Sequence, residues 1–215
     1  MRRRNVAYGL LLVLAVAVAA GAVFLWASSR TLHEGSAEVG FARDMMVHHA
    51  QAVEMAEIVR DKTEDEDVSV LATDIALTQQ AQIGQMQGWL AVWGLPTTGT
   101  EKPMAWMGHP TDGPMPGMAT PQEVDRLDEL PPDEADEMFL RLMISHHGAA
   151  IPMAKAVLGE APSPGVEQLA RAIVTSQRAE IEVMQGMLQD MGAPPAEGED
   201  PAAIDGMDME GGHHE

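Results

Sequence analysis

Two histidine pairs, His48-His49 and His146-His147, are the residues of this chain best suited to chemistry. Neutral imidazole is a ligand of first choice for copper, zinc, iron and nickel. Both pairs are accompanied in the same way. Met45 precedes His48 and His49 by three and four residues, and Met143 stands in the same relation to His146 and His147. On a helix that spacing gathers the three side chains on one face. Met55 and Met153 follow on the same stripe. The chain has no cysteine, which excludes thiolate sites and thiol catalysis. Thioether with imidazole, and no thiolate, suits Cu(I), and imidazole also suits Cu(II). The expected ligand is therefore a soft transition metal, copper first. The competing reading is a metal-free polar core, because a buried imidazole needs partners in either case.

Met55 and Met153 are read as candidate ligands beside Met45 and Met143, and Met86 and Met184 as auxiliary donors; methionine also fills irregular cores, so at least two of Met55, Met153, Met86 and Met184 are expected to serve packing alone. Met104, Met107, Met115 and Met118 lie instead in a Pro/Gly-rich stretch with His109, where no core is expected. Met207, Met209, His213 and His214 lie in the acidic tail. Both groups are read as auxiliary metal donors. Gln79 and Gln177 fall on inward helix faces, where each can orient a ligating histidine by a hydrogen bond or simply bond between helices. Pro152 removes one backbone bond and frees the Gly148 carbonyl next to the second histidine pair.

These residues recur because the chain is duplicated. Residues 41–96 and 139–194 align without a gap at an offset of 98, with 22 of 56 positions identical. The offset relates His48-His49 to His146-His147, Met45 to Met143, Met55 to Met153, Gln79 to Gln177 and Met86 to Met184. Each copy reads as two helices, the first marked by Phe41, Met45, His48, His49, Ala52, Met55 and Val59 at helical spacing. An acidic break at 61–67 separates it from the second, and Gly94 with Pro96 supplies the stop. In the second copy Pro131 and Pro132 precede the third helix, Ser163-Pro164 opens the fourth, and Gly192 with Pro194 closes it. A hairpin of this kind cannot bury its apolar face alone. The expected fold is all-α: a four-helix bundle of two repeated hairpins over residues 38–194. Residues 97–132 are expected to be an irregular linker, and 195–215 a disordered acidic tail.

The ends of the chain differ in charge. Arg2, Arg3 and Arg4 precede an uncharged apolar run from Val6 to Ala27, long enough for a transmembrane helix. The arginines favour a cytoplasmic N-terminus and an extracytoplasmic body. Residues 1–30 are thus expected to be a single-pass membrane anchor, or a signal segment whose cleavage would release a secreted protein. All 33 acidic residues lie beyond Arg30, against nine basic ones, a net charge of −24 for the body. Such a body repels nucleic acid and attracts cations.

The pattern Phe-x-Arg-x-Met-x-x-His-His-x-x-Ala-x-x-Met-Ala, starting at Phe41 and, in essentials, again at Phe139, resembles the bacterial family named domain of unknown function 305. The resemblance covers about residues 38–194. It implies a ferritin-like four-helix bundle, with copper binding and copper tolerance outside the cytoplasm in some members. Carried onto this sequence, it implicates Met45, His48, His49, Met55, Met143, His146, His147 and Met153. The copies differ at one informative position, Gln82 against Glu180, so a carboxylate there is not essential to a shared role.

The function expected is metal binding without catalysis: copper scavenging, buffering or delivery, with a protein partner for metal exchange. A di-iron oxidase of ferritin type needs Glu-x-x-His motifs. None of the four helices has one, and Asp74 is the only carboxylate between Leu71 and Leu95.

Overall fold

Glycine and proline mark the helix boundaries, and the repeat places them alike in both copies. The computed structural model describes residues 32–160 and 162–196, together with Val16, Val18 and Ala19. Helix α1 spans Ala37–Arg60 and α2 spans Glu66–Trp93. Asp65 caps α2, its carboxylate accepting from the Asp67 and Val68 amides at 2.8 and 3.1 Å. Gly94 ends α2 in the left-handed conformation at φ 72°, and the Leu95 amide donates back to the Leu90 carbonyl. A hundred residues later the same device recurs: Gly192 also has φ 72°, and the Ala193 amide donates to Leu188.

The segment between the hairpins is more ordered than its composition implies. It contains a 3₁₀ turn, Ala105–Met107, and a nine-residue helix α3, Pro121–Glu129. Thr120 and Glu123 form a reciprocal capping box at the start of α3, with Pro121 in its first turn. The expectation of an irregular linker is corrected accordingly. Helix α4, Pro132–Gly159, begins at Pro132 itself, and α5 spans Pro164–Asp190.

Helix α1 packs chiefly on α2 and α4 on α5, and the two hairpins meet mainly where α1 faces α4. The histidine-bearing helices are thus the ones in contact. A continuous apolar core runs through Met55, Val59, Leu71, Ile75, Phe139, Leu140, Met143, Ile144, Ile181 and Met184. Each such side chain contributes about 1.5–3 kcal/mol when fully buried. Among the described residues 32–196 there are five α-helices and no strand.

Polar ties repeat with the same offset. Arg43 donates to the Pro96 carbonyl at 2.8 Å, closing the first hairpin, and Arg141 donates to Pro194 at 2.8 Å, closing the second. Buried Asp136 accepts from Thr63 at 2.7 Å, and its counterpart Glu38 accepts from the Ser163 amide. Each acid, at the start of one hairpin, therefore holds the turn of the other.

Among the described residues no helix is long and apolar enough to cross a membrane. The expected anchor at residues 1–30 lies outside them apart from Val16, Val18 and Ala19, as does the tail beyond residue 196.

Candidate metal centre

Where α1 meets α4, the four histidines expected from the repeat are completely buried. The rings of His48 and His146 are in contact, with centroids 3.7 Å apart and planes tilted by 38°. His147 is 6.2 Å from His146 by the same measure. Met45, Met143, Met55 and Met153 are all fully buried too, one turn before or two turns after a histidine pair. Met55 and Met143 are also members of the continuous apolar core, as is Met184, so packing accounts for part of the methionine stripe.

The imidazoles are only partly satisfied. His48 Nε2 lies 3.3 Å from the Pro116 carbonyl oxygen. His49 Nε2 lies 2.7 Å from Gln82 Oε1, and His147 Nε2 lies 2.5 Å from Glu180 Oε2. A carbonyl or carboxylate oxygen can only accept, so in the neutral tautomer these contacts put the proton on Nε2 and leave Nδ1 with a lone pair. Nδ1 of His48, His49 and His147 is buried without a hydrogen-bond partner, and so are both ring nitrogens of His146. Unpaired polar atoms at such depth are costly and rare, and each calls for a reason.

Burial also keeps three of the rings neutral. It is the main cause that lowers His48 to about 4, with the Pro116 bond opposing and His147 adding to the shift. His49 is lowered to about 3, by burial and then by His48, against the Gln82 bond. His146 is held well below its ordinary value by burial and by the other three imidazoles. Neutral imidazole is the form that ligates metal.

A strap drawn from the linker covers this pair. Gln51 of α1 clamps Ala119 twice, donating to its carbonyl at 2.9 Å and accepting from its amide at 2.7 Å. Asp44 accepts from the Met104 amide at 2.7 Å and the Trp106 indole at 2.8 Å. Gly117, at φ 73°, lies so close to α4 that a Cβ would stand 2.6 Å from the Ser145 oxygen and 3.2 Å from His146 Cα. Beside it a surface pocket of about 340 Å³ is lined by Met104, Gly117, Gly148 and Pro152 among others.

Several expected roles change. Met104 and Met115 are 5% and 4% exposed, so both are buried in a stretch where no core was expected. Met107 and Met118 are half-buried, and His109 is exposed. Gln79 and Gln177 point inward as expected, yet neither amide atom of Gln79 has a partner, nor has Gln177 Oε1. The side chains that hold the histidines are Gln82 and Glu180, one turn further on. Their signal was present in the repeat: both can accept a hydrogen bond, and each lies 33 residues after its histidine. Met207, Met209, His213 and His214 lie outside the described residues.

The fold and the site define a class: duplicated helical hairpins that bury facing histidine pairs at their junction. The chain belongs to the family described as Domain of unknown function (DUF305), whose model matches residues 38–188. A DUF305 protein of Streptomyces coelicolor is 46% identical with a TM-score of 0.72, over 76% of this chain and 99% of that one. A DUF305 fragment of Deinococcus radiodurans is 39% identical with a TM-score of 0.61, over 72% and 96%. CopM in its Cu(I)-bound form is 27% identical with a TM-score of 0.54, over 72% and 96%; it is also solved with Cu(II) and with silver. Uncharacterized protein L153 of Acanthamoeba polyphaga mimivirus is 38% identical over 55 residues, 26% of this chain, and the match spans about a third (36%) of that protein's length.

Proposed function

We propose that this protein binds copper where α1 meets α4 and holds it without catalysis, as a scavenger, buffer or delivery protein outside the cytoplasm. One observation carries the reading: the His48 and His146 ring centroids lie 3.7 Å apart while buried imidazole nitrogens around them lack any hydrogen-bond partner. A lone pair that has lost water and gained no donor is stabilised by a cation. Among the described residues no three His, Asp or Glu side chains are grouped to hold one ion. The proposed donors to any one ion are therefore no more than two imidazoles, drawn from His48, His49, His146 and His147 and completed by thioethers from Met45, Met143, Met55 and Met153. Such a mixed set is soft and fits Cu(I), with other transition metals as weaker candidates. CopM, which shares the fold, is solved with Cu(I), Cu(II) and silver bound.

Export is part of the proposal. Its supports are Arg2 to Arg4 ahead of the apolar run, and the description of the Streptomyces coelicolor relative as a secreted protein. Retention by a single-pass anchor and release after cleavage predict different mature N-termini, which sequencing of the exported protein separates. A soluble protein that exchanges copper with it is the expected partner.

The test is titration of the purified full-length protein with Cu(I), under reductant, and with Cu(II). Binding at about micromolar affinity or tighter is expected, about −8 kcal/mol or better. It should be lost when His48 and His146 are both replaced by leucine. Unchanged affinity in a variant lacking all four histidines would overturn the assignment. A metal-free polar core makes the opposite forecast, supported by the three hydrogen bonds that the histidines do make. In that case copper leaves the melting temperature alone, whereas a ligand at a hundred times its Kd adds about 2.7 kcal/mol to stability.

A further inference from the structure

The four imidazoles have no exposed surface, so an ion reaches their nitrogens only when part of the protein opens. Two kinds of wall surround them. On the sides stand α2 and α5, whose Gln82 and Glu180 hold His49 and His147. These are helices of 28 and 27 residues packed on α1 and α4, and parting either pair would expose the continuous apolar core. Over the seam between α1 and α4 lies the strap instead, with no helix from Gly108 to Thr120.

At its contact with the histidines the strap is one residue thick. The Pro116 carbonyl oxygen lies 3.3 Å from His48 Nε2, yet Pro116 itself is exposed. A single peptide unit therefore separates a buried imidazole from water. The surface pocket of about 340 Å³ adjoins that unit, lined by Pro116 and Gly117 from the strap and by Gly148, Ala149 and Pro152 from α4. Lifting Pro116 would join this open space to His48.

The strap is fastened firmly at its ends and lightly between them. Asp44 holds Met104 and Trp106, and Trp106 packs edge-on against Phe41 with ring centroids 6.1 Å apart. Gln51 holds Ala119 by two hydrogen bonds. Between these posts, residues 113–118 are tied to α1 by the His48–Pro116 bond, while the Met118 amide turns back to the Met115 carbonyl. Opening so short a stretch breaks few bonds and uncovers one buried methionine, Met115. Local openings of that kind cost far less than unfolding the whole domain.

We infer that residues 113–118 are the door of the buried centre: the ion enters and leaves where Pro116 lifts off His48, and the Gln51 clamp on Ala119 sets how often it lifts. The inference rests on the copper reading above and deepens it, since it says how a site with no exposed donor exchanges its ion. Gln51 is not among the proposed donors and acts on exchange through the strap.

The test loads the full-length protein with Cu(I) under reductant and follows release to an excess of chromophoric chelator by stopped-flow absorbance. Wild type is compared with Gln51→Ala, which removes the clamp, and with Gly117→Ala, which props the strap off α4. The control is Leu188→Ala, a truncation of the buried core on α5, which packs chiefly on α4. Melting temperatures without metal rank the variants by stability, and either strap variant carries the test alone should the other fail to fold. Both strap variants are expected to release Cu(I) about tenfold faster or more, the factor implied by losing one or two hydrogen bonds from the closed state. Uptake should quicken similarly, because both directions pass the same door, so Kd changes less than either rate. Leu188→Ala should stay within about threefold of wild type even where it costs as much stability. Release unchanged in the strap variants, or quickened no more than by Leu188→Ala, would overturn the inference while leaving copper binding intact, and would move the entrance to a seam between helices. Failure of the wild type to bind Cu(I) would instead overturn the copper reading, and the inference with it.

Discussion

Replacing Gly117 by alanine tests how tightly the strap is seated on the histidine pair. The new Cβ would stand 2.5 Å from Ala149 Cβ, 2.6 Å from the Ser145 carbonyl oxygen and 3.2 Å from His146 Cα. The last two are backbone atoms of α4, and the first has no rotamer with which to retreat. The strap must lift. Three costs then add. A left-handed residue bearing a side chain costs about 1–2 kcal/mol. Partial exposure of Met115 and Ala119, now 4% and 5% exposed, forfeits some of the 1.5–3 kcal/mol typical of a buried methionine, about 1 kcal/mol. Loss of the His48–Pro116 contact removes about 1 kcal/mol more. The expected destabilisation is about 3–4 kcal/mol, read from urea denaturation of the metal-free protein with Gly113→Ala as control. At Gly113 a Cβ meets nothing within 4 Å, so that change should stay within about 0.5 kcal/mol. A loss below about 1 kcal/mol for Gly117→Ala would show that the strap slides at little cost and does not hold His48.

Stability should fall on mild acidification. The ordinary histidine value is 6.5, and His48 and His49 are lowered to about 4 and about 3, so below 6.5 the unfolded chain takes up protons that the fold refuses. The contribution is complete above pH 6.5 and is lost progressively as pH falls toward the folded values, about 3 kcal/mol for His48 alone. Denaturation midpoints that stay flat between about pH 6.5 and 5 would contradict this, since exposed carboxylates titrate mostly below that window. Gln51→Ala removes both bonds to Ala119 and should cost about 1–3 kcal/mol by the same assay; no measurable loss would mean that the clamp is not closed in solution. Gln79→Met replaces a buried amide with no partner by an apolar chain of similar volume, so stability should hold or rise by up to about 1 kcal/mol. A clear loss would reveal a bond that Gln79 makes in solution.

The parts of the fold that repeat were the parts legible in the sequence. Gly94 and Gly192, Pro96 and Pro194, and the paired histidines declared themselves because a spacing of 98 is improbable unless the positions do equivalent work. The strap was not legible in that way. Its burial follows no period, so nothing in the spacing of Met104 and Met115 says that they turn inward. Its start on α3 was readable, since Thr120-Pro121-Gln122-Glu123 carries the capping-box signature ahead of a short amphipathic run. The histidine partners were half-legible: an inward glutamine was expected, but Gln79 and Gln82 are a turn apart. Only the packing angle between α1 and α2 decides which one reaches the ring. The Pro116 carbonyl had no signal at all, because a backbone acceptor leaves no trace in residue identity.

The strap also changes what the duplication means. A single connecting segment cannot lie on both sides of a two-fold axis, and here it is gripped by Asp44 and Gln51 of α1 while Gly117 rests on α4. The counterparts of those two polar residues in the second copy are Leu142 and Ala149, and Ala149 is the small residue on which Gly117 lies. One repeat has become the hand that holds and the other the surface that yields. Interchanging the hairpins would keep every histidine in place and still leave the connection with nothing to grasp, so neither repeat can now stand in for the other.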